Sequence, residues 1–177
     1  MKRFLKSAVT VSTLSALVVA PVFMSVSEAS ARPTGTNASY LGAGISISAT
    51  NNGKTSDDAA FGGNIQGRVA IPNTPISARG AILFNDQTSA IIPMVSYDVP
   101  VTNNANVYLG AGYSFVEKDG KLSPLGSKDA VVLTTGVEAE VRRNILLYGD
   151  AKLGIDAYEN SSASAVSFQL GAAYRFN

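Results

Sequence analysis

The sequence predicts an all-β fold: an eight-stranded antiparallel up-and-down transmembrane β-barrel preceded by a cleaved signal peptide. Beyond residue 31 the chain falls into eight short segments that alternate apolar with small or polar residues, and helical periodicity is absent. In the first segment one face carries Leu41, Ala43, Ile45 and Ile47, while the other carries Gly42, Gly44, Ser46 and Ser48. Later segments repeat the contrast, and their polar face includes ionised side chains that only a wet or paired interior would hold. An apolar outside with a charged inside is the arrangement of a barrel in lipid.

The N-terminus sets the compartment. Lys2, Arg3 and Lys6 form a basic start, residues 8–26 are mostly apolar, and Ala29-Ser30-Ala31 supplies small residues for cleavage. Pro21 and the scattered Ser and Thr argue against an uncleaved spanning helix. The expected organisation is a signal peptide at 1–31, a short N-terminal segment at 32–38 and the barrel at 39–177. With 14 Lys plus Arg against 13 Asp plus Glu, no net charge draws the chain to nucleic acid. Without cysteine, neither disulfides nor thiolate metal sites can staple the fold. The 15% charged content lies below the roughly 25% of soluble domains, which favours a membrane barrel only mildly.

In order, strands are expected at 39–50, 61–71, 76–85, 89–99, 105–117, 130–142, 145–158 and 165–177, most reaching the about nine to eleven residues a tilted strand needs to cross a bilayer. Connectors alternate in kind. Residues 72–75 (Pro-Asn-Thr-Pro), 100–104 and 142–144 read as tight turns, while 51–60 and 118–129 read as long polar loops. The connectors 85–88 and 159–164 on the loop side are short, so the external surface is modest. One rim of turns and one of loops matches an outer-membrane barrel, with turns and both termini on the periplasmic side.

A weak repeat runs through the strands: Tyr40-Leu41-Gly42-Ala43-Gly44 returns as Tyr108-Leu109-Gly110-Ala111-Gly112, with a trace at Leu170-Gly171-Ala172-Ala173-Tyr174. A dinucleotide-binding loop would need a helix to follow and a third glycine in register, and neither is present. Inward glycines instead leave volume for long side chains and let a small barrel bend. With odd strands running outward, Phe61, Phe84, Phe115 and Phe168 fall near the external ends, and Tyr97, Tyr174 and Phe176 near the internal ends, as two aromatic girdles.

Together these residues resemble the small eight-stranded outer-membrane barrels of the OmpA and OmpX type, over essentially the entire mature chain. The most motif-like part is the final strand, Val166-Ser167-Phe168-Gln169-Leu170-Gly171-Ala172-Ala173-Tyr174-Arg175-Phe176-Asn177, similar to the aromatic-rich ending that the family's assembly machinery reads, although Asn177 follows the last aromatic. The resemblance implies an integral protein of a Gram-negative-type outer membrane, surrounded by its lipids. It also implies insertion by the barrel-assembly machinery and extracellular partners at the loops. A monomer is expected.

The interior follows from the register. If the Pro72–Pro75 turn joins its strands symmetrically, positions summing to 147 face each other, which sets Arg68 opposite Arg79. Two cations require acids, and the strands across the lumen carry Glu138, Glu140, Asp150 and Lys152 on their inward faces. The expected core has Arg68 and Arg79 bridging to Glu138, Glu140 or Asp150, with Asp98, Asp156 and Arg175 as outer members.

Enzymatic readings find little support. His and Cys are both missing, which removes the usual general base, the commonest zinc ligand and the thiolate nucleophile. Ser161, Ser162 and Ser164 beside Glu159 read as a solvated turn, and Asp57-Asp58 offers too few oxygens for calcium. No catalytic residue, metal ligand or cofactor is assigned. The expected role is structural, envelope-stabilising or surface-interacting, with a lumen plugged by charged side chains. The alternatives are a narrow pore for small solutes or ions, and a soluble lipocalin-like barrel, which would need the opposite dress.

Overall fold

A computed structural model describes residues 34–50, 60–118 and 120–176. Eight strands form one closed sheet in chain order: β1 (Tyr40–Ser48), β2 (Phe61–Ala70), β3 (Ile76–Phe84), β4 (Ser89–Pro100), β5 (Ala105–Val116), β6 (Ala130–Arg142), β7 (Ile145–Ile155) and β8 (Ala165–Arg175). Every pairing is antiparallel, and β1 pairs with both β2 and β8, so the sheet has no free edge. The expected segments therefore stand, most of them trimmed by a residue or two. Closure is what a lipid environment demands, because an unpaired strand edge there has no water to bond.

Alternation of burial is regular. Leu41, Ile65, Val69, Val95, Leu109, Val137 and Leu170 point outward and are exposed, while Ser46, Gln66, Ser77, Ser96, Glu138 and Lys152 point inward and are buried. Leu109 is 61% exposed and Glu138 is 0% exposed, the reverse of a soluble protein's preference. Pro93, facing outward on β4, has no N–H, and there the β4–β5 ladder skips from Ile91↔Phe115 to Met94↔Gly112.

Turn chemistry fixes the short-turn rim. Asn73 and Asn144 adopt left-handed φ values of 61° and 63°, a conformation asparagine tolerates better than most residues, and each reverses the chain within a few positions.

Two expectations about the opposite rim fail. The seventh strand was expected to run to 158, yet β7 stops at Ile155, because Asp156 takes a left-handed φ of 54° and turns the chain. The 118–129 connector was expected to be polar and external, yet residues 123–127 are buried in the barrel mouth. There Leu125 packs with Leu83, Ile92, Val132 and Tyr158 in an apolar cluster. A tight turn makes the insertion possible: Ser123 N donates to Gly126 O at 2.8 Å, the Ser123 hydroxyl donates to the same carbonyl at 2.7 Å, and Gly126 has φ 115°.

Candidate functional site in the barrel interior

The Pro-Asn-Thr-Pro turn sets Arg68 directly opposite Arg79 in the β2–β3 ladder. Both guanidinium groups reach the same two carboxylates. Arg68 Nη2 lies 2.7 Å from Asp98 Oδ2 and its Nη1 lies 2.8 Å from Glu138 Oε1. Arg79 Nη2 lies 2.9 Å from Asp98 Oδ1 and its Nη1 lies 3.0 Å from Glu138 Oε2. The four groups form a closed ring of alternating sign, and none of the four residues exceeds 5% exposure.

Neighbouring polar groups satisfy the remaining hydrogens and lone pairs. Arg68 Nε donates to Ser77 Oγ at 2.9 Å, and that hydroxyl bonds Asp98. Arg79 Nε donates to Ser96 Oγ at 2.7 Å, and Ser96 in turn donates to Asp98 Oδ1 at 3.0 Å. The Tyr40 hydroxyl donates to Glu138 Oε2 at 2.9 Å, and Asn106 Nδ2 donates to Glu138 Oε1 at 3.1 Å. The Arg79 guanidinium also lies 3.6 Å above the centre of the Tyr108 ring. Burial of charge at this depth is tolerable only when each ion is paired and bonded this fully.

Farther toward the long-loop rim stands a second cluster. Lys152 is ion-paired with Asp150 and donates to Gln66 Oε1 at 3.2 Å. Tyr108 links the two clusters, since its ring underlies Arg79 and its hydroxyl donates to Asp150 Oδ2 at 2.9 Å. Tyr148 stacks on Tyr40 with ring centres 6.2 Å apart and donates to Asn64 Oδ1 at 2.6 Å. The tyrosines fit because glycines face them. Tyr108 pairs with Gly136 and Tyr148 with Gly171, and a Cβ at either glycine would stand within 2.6 Å of a ring atom.

Chain segments lie over both mouths, with a recess of about 330 Å³ at the short-turn rim that reaches Arg68 and Asp98. At the short-turn rim the segment before β1 crosses the opening: Arg68 Nη1 donates to the carbonyls of Thr36 at 3.0 Å and Ala38 at 3.1 Å, and Asn106 Nδ2 donates to Thr36 O at 2.7 Å. At the other rim the Leu125 turn and the Ala157-Tyr158 pair fill the opening. The residues singled out from sequence thus fall into four places. Arg68, Arg79, Asp98 and Glu138 share one ring, with Asp98 a full member of it rather than an outer one. Asp150 is not a partner of the arginines but of Lys152. Glu140 pairs with Arg175 at 2.6 Å, half-buried at the short-turn rim. Asp156 is not interior at all: it is exposed and pairs with Lys128 at 3.0 Å, because the strand has already turned.

Phe61, Phe84, Phe115 and Phe168 lie outward near the long-loop ends, and Tyr97, Tyr174 and Phe176 outward near the short-turn ends, all of them exposed. Sequence reasoning passed over Tyr40, Tyr108, Tyr148, Thr36 and Asn106. A signal for the first two existed, since each opens a copy of the Tyr-Leu-Gly-Ala-Gly repeat in phase with its inward glycines. Among the described residues, no group of three or more His, Cys, Asp or Glu could hold a metal ion.

The family model described as outer membrane protein beta-barrel domain matches residues 15–176. Among solved structures, Ail, the attachment invasion locus protein of Yersinia pestis, is similar at 17% identity with a TM-score of 0.53, over 79% of this chain and 99% of that one. Neisserial surface protein A is similar at 16% identity with a TM-score of 0.52, over 78% of this chain and 97% of that one. A de novo designed transmembrane β-barrel is similar at 11% identity with a TM-score of 0.53, over 80% and 98%. These likenesses concern the fold. No curated protein matches the chain.

Proposed function

This chain belongs to the outer membrane protein beta-barrel domain family, and we propose that within it the protein is a sealed, non-catalytic barrel that serves the envelope structurally and presents its outer rim to surface partners. The observation that carries this reading is the layered filling of the lumen. A backbone segment at 34–38, the Arg–Asp–Arg–Glu ring, the tyrosine and Lys152 layer and the Leu125 stopper succeed one another from rim to rim. A lumen filled by well-bonded side chains transports nothing, so the surfaces left to act are the lipid-facing wall and the outer connectors. The lack of His and Cys supports the non-catalytic part, because the common nucleophile-activating groups are missing.

The rival reading is a narrow ion path along the same charges. Against it stands the pairing, three buried cations (Arg68, Arg79, Lys152) with three buried anions (Asp98, Glu138, Asp150) among the described residues, each held by several bonds. Liposome swelling and planar-bilayer recording with the purified barrel separate the two. The sealed barrel gives no swelling in small sugars and no stable open level, whereas a persistent conductance would establish the pore.

A further inference from the structure

Exposed charge on the short-turn rim is confined to one arc. Among its described residues the charged side chains that are not buried are Glu140, Arg142, Arg143 and Arg175, all on β6, β8 or the turn from β6 to β7, while the 71–75 and 101–104 turns carry none. Glu140 and Arg175 are paired with each other. Arg142 and Arg143 are exposed and make no ion pair among the described residues, which leaves this arc positive.

A recess of about 520 Å³ opens here, lined by Glu140, Arg143, Asn144, Tyr174, Arg175 and Phe176. Asn144 Nδ2 donates to the Tyr174 hydroxyl oxygen at 3.2 Å, so the phenol's own hydrogen is free to donate elsewhere. Tyr174 and Phe176 are each 59% exposed on the outward face, which sets the recess at the level where lipid headgroups meet the wall. Next to Tyr174 along the wall, Ala172 faces Ala43 across the β1–β8 ladder, a shallow stretch between larger outward residues.

A guanidinium and a phenolic donor at headgroup depth, beside a shallow apolar track, match one ligand chemistry. We propose that this recess binds the phosphate of an anionic phospholipid in the periplasm-facing leaflet, Arg143 supplying the charge, Tyr174 the second contact, and the Ala43–Ala172 track the seat for an acyl chain. An arginine suits the role because its planar fork meets two phosphate oxygens at once. The inference needs the barrel to be in the membrane but does not need its lumen to be sealed.

Native mass spectrometry of the folded barrel in mild detergent tests it, with titrations of phosphatidylglycerol, phosphatidylcholine and soluble glycerol phosphate. Phosphatidylglycerol is expected to be retained in preference to phosphatidylcholine, and Arg143→Gln to weaken it about fivefold, as befits one cation at a membrane surface. Tyr174→Phe is expected to weaken it about twofold, and Lys121→Gln on the opposite rim to leave it unchanged. Wild-type retention by both Arg143→Gln and Tyr174→Phe would overturn the proposal, as would equal loss in Lys121→Gln. Displacement by glycerol phosphate at equal concentration would show a site for soluble anions instead. If Arg143→Gln does not yield a folded barrel, Tyr174→Phe, whose ring is kept, decides alone.

Discussion

Arg68 and Arg79 stand directly opposite each other across the β2–β3 ladder, and each touches both Asp98 and Glu138. Like charges in directly opposed positions repel, so this pairing is stable only through the acids. Glu138→Ala is therefore expected to lower stability in lipid by about 3 to 5 kcal/mol, because two buried guanidinium groups lose a partner. In a cycle with Arg68→Ala the coupling is expected to be about 1 to 3 kcal/mol, and strict additivity in urea unfolding from vesicles would show that the two do not interact.

Val137 is the outward neighbour of Glu138, 55% exposed near the middle of β6. Placing arginine there puts a charge against acyl chains, at a cost of about 2 to 4 kcal/mol if the site is at the bilayer midplane. The same unfolding assay measures it, and an unchanged midpoint would place this face out of lipid.

Gly171→Ala brings a Cβ to 2.3 Å from the Tyr148 hydroxyl and 2.4 Å from its ring carbon. Tyr148 cannot swing away freely, since it stacks on Tyr40 and holds Asn64. A loss of about 1 to 3 kcal/mol is expected from this overpacking. Gly80→Ala, on the outward face with nothing within 4 Å, is the control and is expected to fold at least as well as the parent.

Leu125 is 0% exposed in the turn that fills the long-loop mouth. Leu125→Ala is expected to cost about 2 to 5 kcal/mol, as in other large-to-small core changes. It should not open the barrel, because the charged ring lies deeper. Conductance appearing in this variant alone would make the turn, and not the ring, the seal.

Trypsin added to intact cells is expected to cut after Lys118 or Lys121, which are exposed on the long-loop rim. Lys128 is only 32% exposed in its side chain and tied to Asp156, so it is cut slowly if at all. Lys54, on the same rim by sequence, lies outside the described residues. Arg142 and Arg143 occupy the opposite rim, and their cleavage from outside would invert the topology.

The strands were legible because period-two alternation is strongest where one face meets lipid and the other a packed lumen, and every inward position of β1 and β6 could be read from it. The Arg68–Arg79 opposition was legible because a tight turn fixes register. What the sequence hid was height. Register alone does not say which inward acid lies level with which arginine across the lumen, so the sequence reading places Asp98 at the periphery and offers Asp150 to the wrong cations. The ends of the lumen were hidden for another reason. Ser123-Pro124-Leu125-Gly126 has the composition of a solvent-exposed turn, and only tertiary packing reveals that its leucine points down into the mouth. Asp156 kept the inward parity of β7 on paper, but one left-handed residue ended the parity itself.

The two acids of the ring arrive at different times in the life of the chain. Asp98 lies one hairpin beyond Arg79 and can meet both arginines as soon as β2, β3 and β4 associate, whereas Glu138 and the Tyr40 hydroxyl that bonds it are separated by 98 residues. Contacts so remote in sequence form late, after the entropic cost of closing a long loop has been met. A nascent three-stranded sheet therefore carries one surplus positive charge on its concave face, and that charge is cancelled only when β6 swings into place. Neutralisation waits on β6 rather than on the β1–β8 seam, so a sheet still short of β6 is electrostatically marked as unfinished.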